Sequence, residues 1–218
     1  MRRSPRAECA RLAQQRALRR RCTRSGTLVL TYDDGPGLRV TPRLLDLLAE
    51  RSARATFFPL GERAAGAEEV LARAAAERHE LGCHGHAHVN AVAAARGFAA
   101  RDIERGYEAL APWIGPRAIF RPPYGKLSNE SRRALRHRGA PLGWWTVDSG
   151  DALVPDPRPA PVLRALERAG GGVVLMHDFD RDPPEPVRED FVLDLTGALL
   201  DLAQARGWRV TTLGELMA

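Results

Sequence analysis

Short apolar runs of this chain repeatedly end in clusters of charged and aromatic residues. Five such ends follow one another, at residues 31–36, 84–88, 120–125, 145–151 and 173–178. In a barrel of parallel strands, the catalytic residues come from the carboxyl ends of several different strands. The pattern therefore predicts a parallel sheet whose carboxyl edge carries a functional site.

Strand-like segments alternate with helix-like segments, which is typical of an α/β fold with parallel strands. Strands are predicted near residues 27–32, 55–59, 80–83, 117–121, 141–147, 172–176 and 208–211. Helices are predicted near residues 41–51, 67–78, 98–112, 128–138, 160–169 and 190–206. A chain of 218 residues suits one domain with a sizeable core. The sequence thus predicts a distorted (β/α) barrel of about seven parallel strands.

Two adjacent carboxylates, Asp33 and Asp34, follow the first apolar run, and a Gly-Pro turn comes directly after them. Neighbouring side chains of a strand point to opposite faces, so both acids reach one site only where the strand ends. Two crowded carboxylates repel each other unless a cation or a proton relieves the repulsion. The pair therefore indicates one metal ligand and one general base, and the alternative is a polar turn that caps a helix.

Three histidines alternate with small residues directly after Cys83. On a helical turn His84 and His88 lie on one face, and Asp34 would complete a two-histidine, one-carboxylate set with an open position for water. In an extended segment His84 would instead share a face with His86. Such ligands suit zinc first, with cobalt, manganese or iron as alternatives. Cys83 should face away from His84 and is interpreted as a core residue.

Other histidines and tryptophans have no motif around them. His79 and His137 lie in arginine-rich, helix-like stretches and are predicted to be at the surface. Trp113, Trp144 and Trp208 are interpreted as core residues or surface anchors.

The ordered set of polar clusters resembles the NodB-like polysaccharide deacetylases, carbohydrate esterase family four. The five family motifs are T-F-D-D-G-P, H-x-x-x-H, R-x-P-Y, D-x-x-D-W and L-x-H-D. Their counterparts here are T-Y-D-D-G-P at 31–36, H-G-H-A-H at 84–88, R-P-P-Y at 121–124, D-S-G-D-A at 148–152 and L-M-H-D at 175–178. The resemblance covers residues 27–178 and implies an incomplete barrel and a bound divalent metal, held by Asp34, His84 and His88.

The same resemblance implies how the reacting groups divide their roles. Asp33 would be the general base and His177 the general acid that protonates the departing amine. Arg121 would pair with Asp33, and Asp151 would orient or charge His177. A cation lowers the pKa of a neighbouring carboxylate, and a carboxylate raises the pKa of a neighbouring histidine.

Three further residues would contact the substrate if the resemblance holds. The backbone N–H of Tyr124 would join the metal in stabilising the oxyanion. Leu175 would line the pocket for the acetyl methyl group, and Trp145 would help there or stack on a sugar ring, with core packing as the alternative for both. Ala152 stands where the family usually has tryptophan, which makes the shape of the substrate groove an open question.

The predicted activity is metal-dependent removal of N-acetyl groups from an N-acetylated sugar, of the N-acetylglucosamine type. One alternative is deacylation of an O-acetyl ester, or of an amide on a lipid-linked or nucleotide-linked sugar. The other alternative is a catalytically silent carbohydrate-binding protein. The presence of Asp33, Asp34 and the histidines argues against the last.

Positive charge is concentrated at the beginning of the chain. Residues 1–26 carry nine arginines and a single acid, Glu8, whereas residues 27–218 have a net charge of −2. The sequence therefore predicts a basic N-terminal arm over 1–26, disordered or helical, and a deacetylase-like domain over 27–218. The acidic balance of that domain disfavours nucleic acid as a partner, while the arm allows weak contact with an anionic surface.

The sequence as written has neither a secretory signal nor an apolar run long enough for a membrane span. A cytoplasmic location is predicted on that basis, and an extracytoplasmic one if the start is misassigned.

Overall fold

The computed structural model describes residues 5–154 and 156–218. The described residues form six parallel strands in one sheet, in the order β3-β2-β1-β5-β4, with β6 paired to the start of β1. The strands are β1 (Thr27–Asp33), β2 (Thr56–Phe58), β3 (Glu80–Leu81), β4 (Val147–Asp148), β5 (Gly172–His177) and β6 (Arg209–Val210).

The helices pack around this sheet. They are α1 (Pro5–Ser25), α2 (Val40–Glu50), α3 (Glu68–Ala76), α4 (Phe98–Leu110), α5 (Asn129–Arg138), α6 (Pro159–Ala169), α7 (Pro186–Arg206) and α8 (Leu213–Met217). Short 3-10 turns lie at Gly61–Arg63 and Pro123–Gly125. The six helices predicted within residues 41–206 are all present within a few residues of their predicted bounds. The short helix α8 is not among the predictions.

Strand β1 is buried along its whole length and organises the fold. The side chains of Leu28, Leu30 and Tyr32 pack into the core that is shared with α2 and α7. Val29 belongs to a second core, on the opposite face of the sheet. This alternation places Asp33 at the carboxyl end of the strand, on the side of the second core.

The predicted strands 117–121 and 141–147 are much shorter than expected. Phe120 forms one parallel bridge with Cys83 and one with Leu142, and only Val147 and Asp148 continue as β4. Prolines flank these bridges and cannot donate to a ladder, so regular pairing does not extend. The prediction of an α/β fold with parallel strands in a distorted, incomplete barrel is confirmed.

The arginine-rich segment at the start of the chain forms the long helix α1, except for residues 1–4, which lie outside the described residues. Leu18 and Cys22 of this helix are buried in the second core, against residues such as Val29, Val173 and Leu213. Two hydrogen bonds join α1 to the rest of the fold. Trp144 Nε1 donates to Gln14 Oε1 at 2.6 Å, and Arg21 Nη1 donates to the Leu216 carbonyl at 2.7 Å. Residues on the two sides of position 26 therefore share one core.

The surface location predicted for His137 is correct, but the one predicted for His79 is wrong. His79 is buried, and its Nδ1 accepts a hydrogen bond from the Ala55 N–H at 3.2 Å. This contact lets the ring join α3 to the start of β2 and explains why a histidine in an arginine-rich stretch is not solvated.

None of the helices in the described part of the chain combines the length and the apolarity that crossing a bilayer requires. The location in the cell stays a prediction.

Candidate active site

The carboxyl ends of the strands bring the predicted site residues together. Asp33 ends β1 and His177 ends β5, and the two residues are paired in the parallel register of these neighbouring strands. One step back along the strands, Thr31 pairs with Leu175. Adjacent strand ends therefore place a carboxylate and an imidazole side by side at one edge of the sheet.

Three side chains form a compact group of metal-ligating type. His84 Nε2 and His88 Nε2 each lie 3.3 Å from the same atom, Asp34 Oδ1. The ligating atoms of Asp34, His84 and His88 all lie within 4.8 Å of one another. Asp34 Oδ1 is buried, and no described residue donates a hydrogen bond to it. A buried carboxylate oxygen without a donor, facing two imidazole nitrogens, fits a divalent cation.

The surroundings of the cluster suit the same interpretation. His84 Nδ1 lies 2.7 Å from the Arg121 carbonyl, which fixes the ring and leaves Nε2 toward Asp34. Burial alone would raise the pKa of Asp34, but His84, His88 and His177 lower it below its usual range. Burial lowers the pKa of His88, which favours the neutral imidazole that binds metal.

His86, the alternative metal ligand to His88, faces away from the cluster. Its Nε2 lies 2.9 Å from Arg105 Nη2, away from the cluster of ligands. The backbone between His84 and His88 is held by Asp102 of α4, whose carboxylate accepts from the N–H groups of His86 and Ala87 at 3.1 and 2.9 Å. Asp102 is a functional residue that sequence reasoning missed, since a lone aspartate within a helix carries no motif.

Cys83 is buried, and its Sγ accepts a hydrogen bond from the Gly85 N–H at 3.4 Å. Burial raises the pKa of its thiol to about 12, so the group stays protonated. The interpretation of Cys83 as a core residue agrees with this placement.

Backbone strain is concentrated at the site. Asp34, His88 and Tyr124 all have positive φ angles, of 68°, 51° and 55°. Such conformations are uncommon for residues other than glycine, and they persist where the surrounding structure enforces them. All three residues belong to the predicted metal and oxyanion groups.

Asp33 and Arg121 form a buried ion pair beside the cluster. Arg121 is fully buried, and its Nη1 donates to Asp33 Oδ1 at 2.8 Å and to Thr31 Oγ1 at 2.7 Å. The guanidinium also lies over the Phe58 ring, with Cζ 4.1 Å from the ring centroid. The second oxygen of Asp33 lies 3.8 Å from His84 Nε2. Arg121 thus fixes one carboxylate oxygen and leaves the other toward the metal-type cluster.

His177 and Asp151 form a second dyad. Asp151 is fully buried, and its Oδ1 lies 2.9 Å from His177 Nδ1, while its Oδ2 accepts from the His177 N–H at 2.9 Å. Burial alone would lower the pKa of His177. The negative charge of Asp151, and to a smaller extent of Asp33 and Asp34, raises this pKa to about 9. The ring is therefore protonated at neutral pH and able to donate a proton.

Asp178 follows His177 and braces the loop after β1. Its carboxylate accepts from Thr41 Oγ1 at 2.7 Å, and its carbonyl accepts from the Gly37 N–H at 3.1 Å. A Cβ atom on Gly35 would lie 2.3 Å from the Asp178 carboxylate, so only glycine fits there. Burial, together with Asp33 and Asp34, raises the pKa of Asp178 to about 7. This residue supports the turn that carries Asp34.

The remaining predicted residues surround the same region. Tyr124 is exposed, and its ring packs against His88 with 4.4 Å between the ring centroids. Trp145 lies near Arg121, whose Cζ is 5.6 Å from the ring centroid, and Leu175 is buried on β5. Ala152 is half-buried in the turn after Asp151.

We expect His88→Ala to lower the affinity for Zn²⁺ more than about 100-fold, because loss of an outer-sphere partner alone typically costs 10–100-fold. His86→Ala is the matched control, and it should bind Zn²⁺ like the wild type, since His86 faces Arg105. Isothermal calorimetry on metal-stripped protein gives both affinities. Equal losses in the two variants would contradict the assignment of His88.

We expect Asp151→Asn to lower the pKa of His177 by about 1–3 units, because a neighbouring carboxylate typically shifts a pKa by that amount. In the wild type the folded pKa of about 9 lies above the usual histidine pKa of 6.5. Protonation of His177 therefore contributes fully to stability below pH 6.5 and less as the pH rises through 9. Asp151→Asn should show a weaker dependence of stability on pH over this range.

An NMR titration of the imidazole protons in metal-free protein measures this shift directly. Asp148→Asn is the control, since Asp148 is exposed at the end of β4 and does not contact His177. A His177 midpoint that is unchanged in Asp151→Asn would contradict the dyad.

Taken together, fold and site define an α/β protein with a hydrolase-type centre at the carboxyl edge of its parallel strands. The chain belongs to the polysaccharide deacetylase family, whose model matches residues 20–142, more than half of the sequence.

Curated relatives of the chain are deacetylases of N-acetylated glycans. It is 29% identical over 192 residues to a peptidoglycan-N-acetylglucosamine deacetylase of Bacillus cereus, covering 87% of each chain. It is 31% identical to a chitin deacetylase of Colletotrichum lindemuthianum, covering 90% of this chain and 81% of that protein. It is 33% identical over 168 residues to a chitooligosaccharide deacetylase of Sinorhizobium fredii, covering 71% and 75%.

Solved structures share the fold. The Bc1960 peptidoglycan N-acetylglucosamine deacetylase superposes with a TM-score of 0.77 at 27% identity, with 89% of each chain covered. A neighbour at 20% identity, BA3943 from Bacillus anthracis, is described as a pseudoenzyme and has a TM-score of 0.74 over 90% of this chain and 66% of that one. This fold also occurs in a pseudoenzyme, so the fold alone does not imply activity, and the residues of the site must be considered.

Proposed function

We propose that the protein is a metal-dependent hydrolase that removes N-acetyl groups from N-acetylglucosamine-type glycans. The observation that carries the proposal is the pairing of two charged dyads at adjacent strand ends. Asp33 is held by Arg121, and His177 is held by Asp151, next to a cluster of two histidines and one aspartate. A base and an acid of this kind are what hydrolysis of an unreactive amide requires.

The relatives support the choice of substrate class. Proteins that cover most of this chain are named for deacetylation of peptidoglycan N-acetylglucosamine, chitin and chitooligosaccharides. All three substrates carry an acetamide on a sugar ring, and the proposal extends that shared chemistry to this protein.

Asp34, His84 and His88 are the residues that would hold a divalent ion, with zinc as the first choice and cobalt, manganese or iron as alternatives. When bound, such an ion polarises the acetamide carbonyl and lowers the pKa of a coordinated water.

Asp33 would take the proton of the attacking water as that oxygen bonds to the acetyl carbon. One oxygen of Asp33 is fixed by Arg121 at 2.8 Å, so the other is oriented for this transfer. The backbone N–H of Tyr124 would donate to the oxyanion of the tetrahedral intermediate.

His177 would complete the reaction. The bond between the acetyl carbon and the sugar nitrogen breaks as His177 gives its proton to that nitrogen, so acetate and a free amine result. An amine is a poor leaving group without a proton, and the raised pKa of His177 keeps that proton available near pH 7.

The test is release of acetate from N-acetylglucosamine oligomers by zinc-reconstituted protein, compared with chelator-treated protein. We expect release only with metal. No release from any oligomer by protein that binds one metal per chain would contradict this substrate class. No release and no metal binding would favour a silent carbohydrate-binding protein.

His177→Ala separates amide from ester hydrolysis, the alternative activity. An alkoxide leaves an acetyl ester without prior protonation far more easily than an amine leaves an acetamide. We therefore expect His177→Ala to lose activity on N-acetylated oligomers much more than on an O-acetyl ester. A wild type that releases acetate only from esters would favour the alternative.

A further inference from the structure

A cavity of about 410 Å³ lies behind the turn that carries Tyr124. This volume falls within the range of about 300–1,000 Å³ that is typical of ligand pockets. Its walls come from the loop after His88, from the segment that begins at Gly125, and from helix α1. Tyr124, whose ring packs against His88 in the candidate active site, directly precedes the lining residues Gly125 and Lys126.

The lining of the cavity carries more positive charges than carboxylates to pair with them. Two of its arginines have carboxylate partners, since Arg11 lies 3.4 Å from Glu8, and Arg96 lies 3.6 Å from Glu130. Lys126 and Arg132, the other two cations of the lining, have no such partner among the described residues.

Lys126 and Arg132 are the two excess cations. Both are half-buried, and neither lies within 4.0 Å of a carboxylate in the described part of the chain. Burial, and then repulsion from Arg136, lowers the pKa of Arg132. The ammonium of Lys126 lies 5.8 Å from the centroid of the Tyr124 ring. One excess cation is therefore close to the residue that would hold the oxyanion.

The rest of the lining is apolar or small. Ala91, Val92 and Leu127 contribute carbon surface, and Trp144 lies behind them. A wholly neutral ligand would leave Lys126 and Arg132 half-buried without counter-charges. A ligand with a carbon skeleton and an anionic group would match both features.

We propose that this cavity binds an anionic group, a carboxylate or a phosphate, carried by the glycan that the active site deacetylates, with Arg132 and Lys126 as its counter-charges. The inference rests on the proposed function for the identity of the glycan. The shared Tyr124–Lys126 segment is the reason for assigning both groups to one ligand. Helix α1, with Glu8 and Arg11, becomes a wall of a binding site.

The test is binding of three tetrasaccharides to metal-stripped wild type, measured by isothermal calorimetry at low salt. The ligands are the neutral N-acetylglucosamine tetramer, a muramyl-containing tetrasaccharide with carboxylates, and a tetramer with a phosphate monoester. We expect one or both acidic ligands to bind about tenfold more tightly than the neutral one, as one charge-assisted contact typically provides. Which acidic ligand gains identifies the source of the charge.

The variant Arg132→Gln/Lys126→Gln should lose this preference, and Arg132→Lys should retain it because the charge remains. Arg133→Gln is the matched control, an exposed arginine one position along α5 that does not line the cavity. Equal affinities for the three ligands, or a preference that survives in the double variant, would overturn the proposal. Thermal unfolding establishes that each variant is folded.

The readout is separate from the test of the proposed function. Binding that depends on Arg132 and Lys126, without acetate release from any glycan, would contradict the deacetylase activity and leave the cavity assignment standing. Acetate release without any preference for acidic ligands would support the deacetylase activity and contradict the cavity assignment.

Discussion

Asp33→Asn is expected to lower kcat for N-acetylglucosamine oligomers by about 10²–10⁴-fold, the typical contribution of a general base. The amide of asparagine has nearly the shape of the carboxylate and still accepts a hydrogen bond from Arg121, but it cannot take a proton from water. Asp33 is outside the group of Asp34, His84 and His88, so the variant should still bind metal. Initial rates of acetate release, with metal content measured on the same samples, test both statements.

Asp190→Asn is the control for Asp33→Asn. Asp190 is an exposed carboxylate on α7 that pairs with Arg43 at 2.8 Å, and such pairs contribute little. Its kcat should equal that of the wild type. An Asp33→Asn enzyme with wild-type kcat and full metal content would mean that another group accepts the proton.

Arg121→Met is expected to lower the free energy of unfolding by about 3–5 kcal/mol, the usual result of removing one partner from a buried ion pair. The guanidinium is fully buried, so no water replaces it as a partner for Asp33. The loss should also lower kcat, because Asp33 would no longer be oriented. Denaturant unfolding of metal-free protein measures the free energy, and acetate release measures the rate.

The double variant Arg121→Met/Asp33→Leu distinguishes the contribution of the two charges to stability from the contribution of side-chain packing. It removes both charges and should recover much of the lost stability, although not the activity. Arg133→Met, at an exposed position, should change stability by less than about 0.5 kcal/mol. A double variant less stable than either single variant would show that packing around Arg121, and not its charge, dominates.

The parts of the site that lie on strand ends follow from the sequence. Asp33 and His177 each end an apolar run, and parallel strands place their carboxyl ends at one edge, so their proximity was predictable. The choice between His86 and His88 was not, because it depends on a loop conformation. That loop is set by Asp102, 14 residues beyond His88, and the sequence gives no sign of this contact.

The role of the first helix was also hidden. Its composition is dominated by arginine, and only Leu18 and Cys22 among its described residues are buried. Two buried apolar residues in a charged segment leave no clear amphipathic pattern in the sequence. Their burial depends on the second core, which forms only in the folded protein. The excess charge of Lys126 and Arg132 was equally invisible, since it depends on which carboxylates fail to reach them.

The helix α1 has a consequence for how the chain folds. It packs against Leu213 and hydrogen-bonds the carbonyl of Leu216, 195 positions after Arg21. Contacts between such distant parts of a chain slow folding, because a long loop must close before they form. The second core is therefore expected to close late, after the local helices have formed.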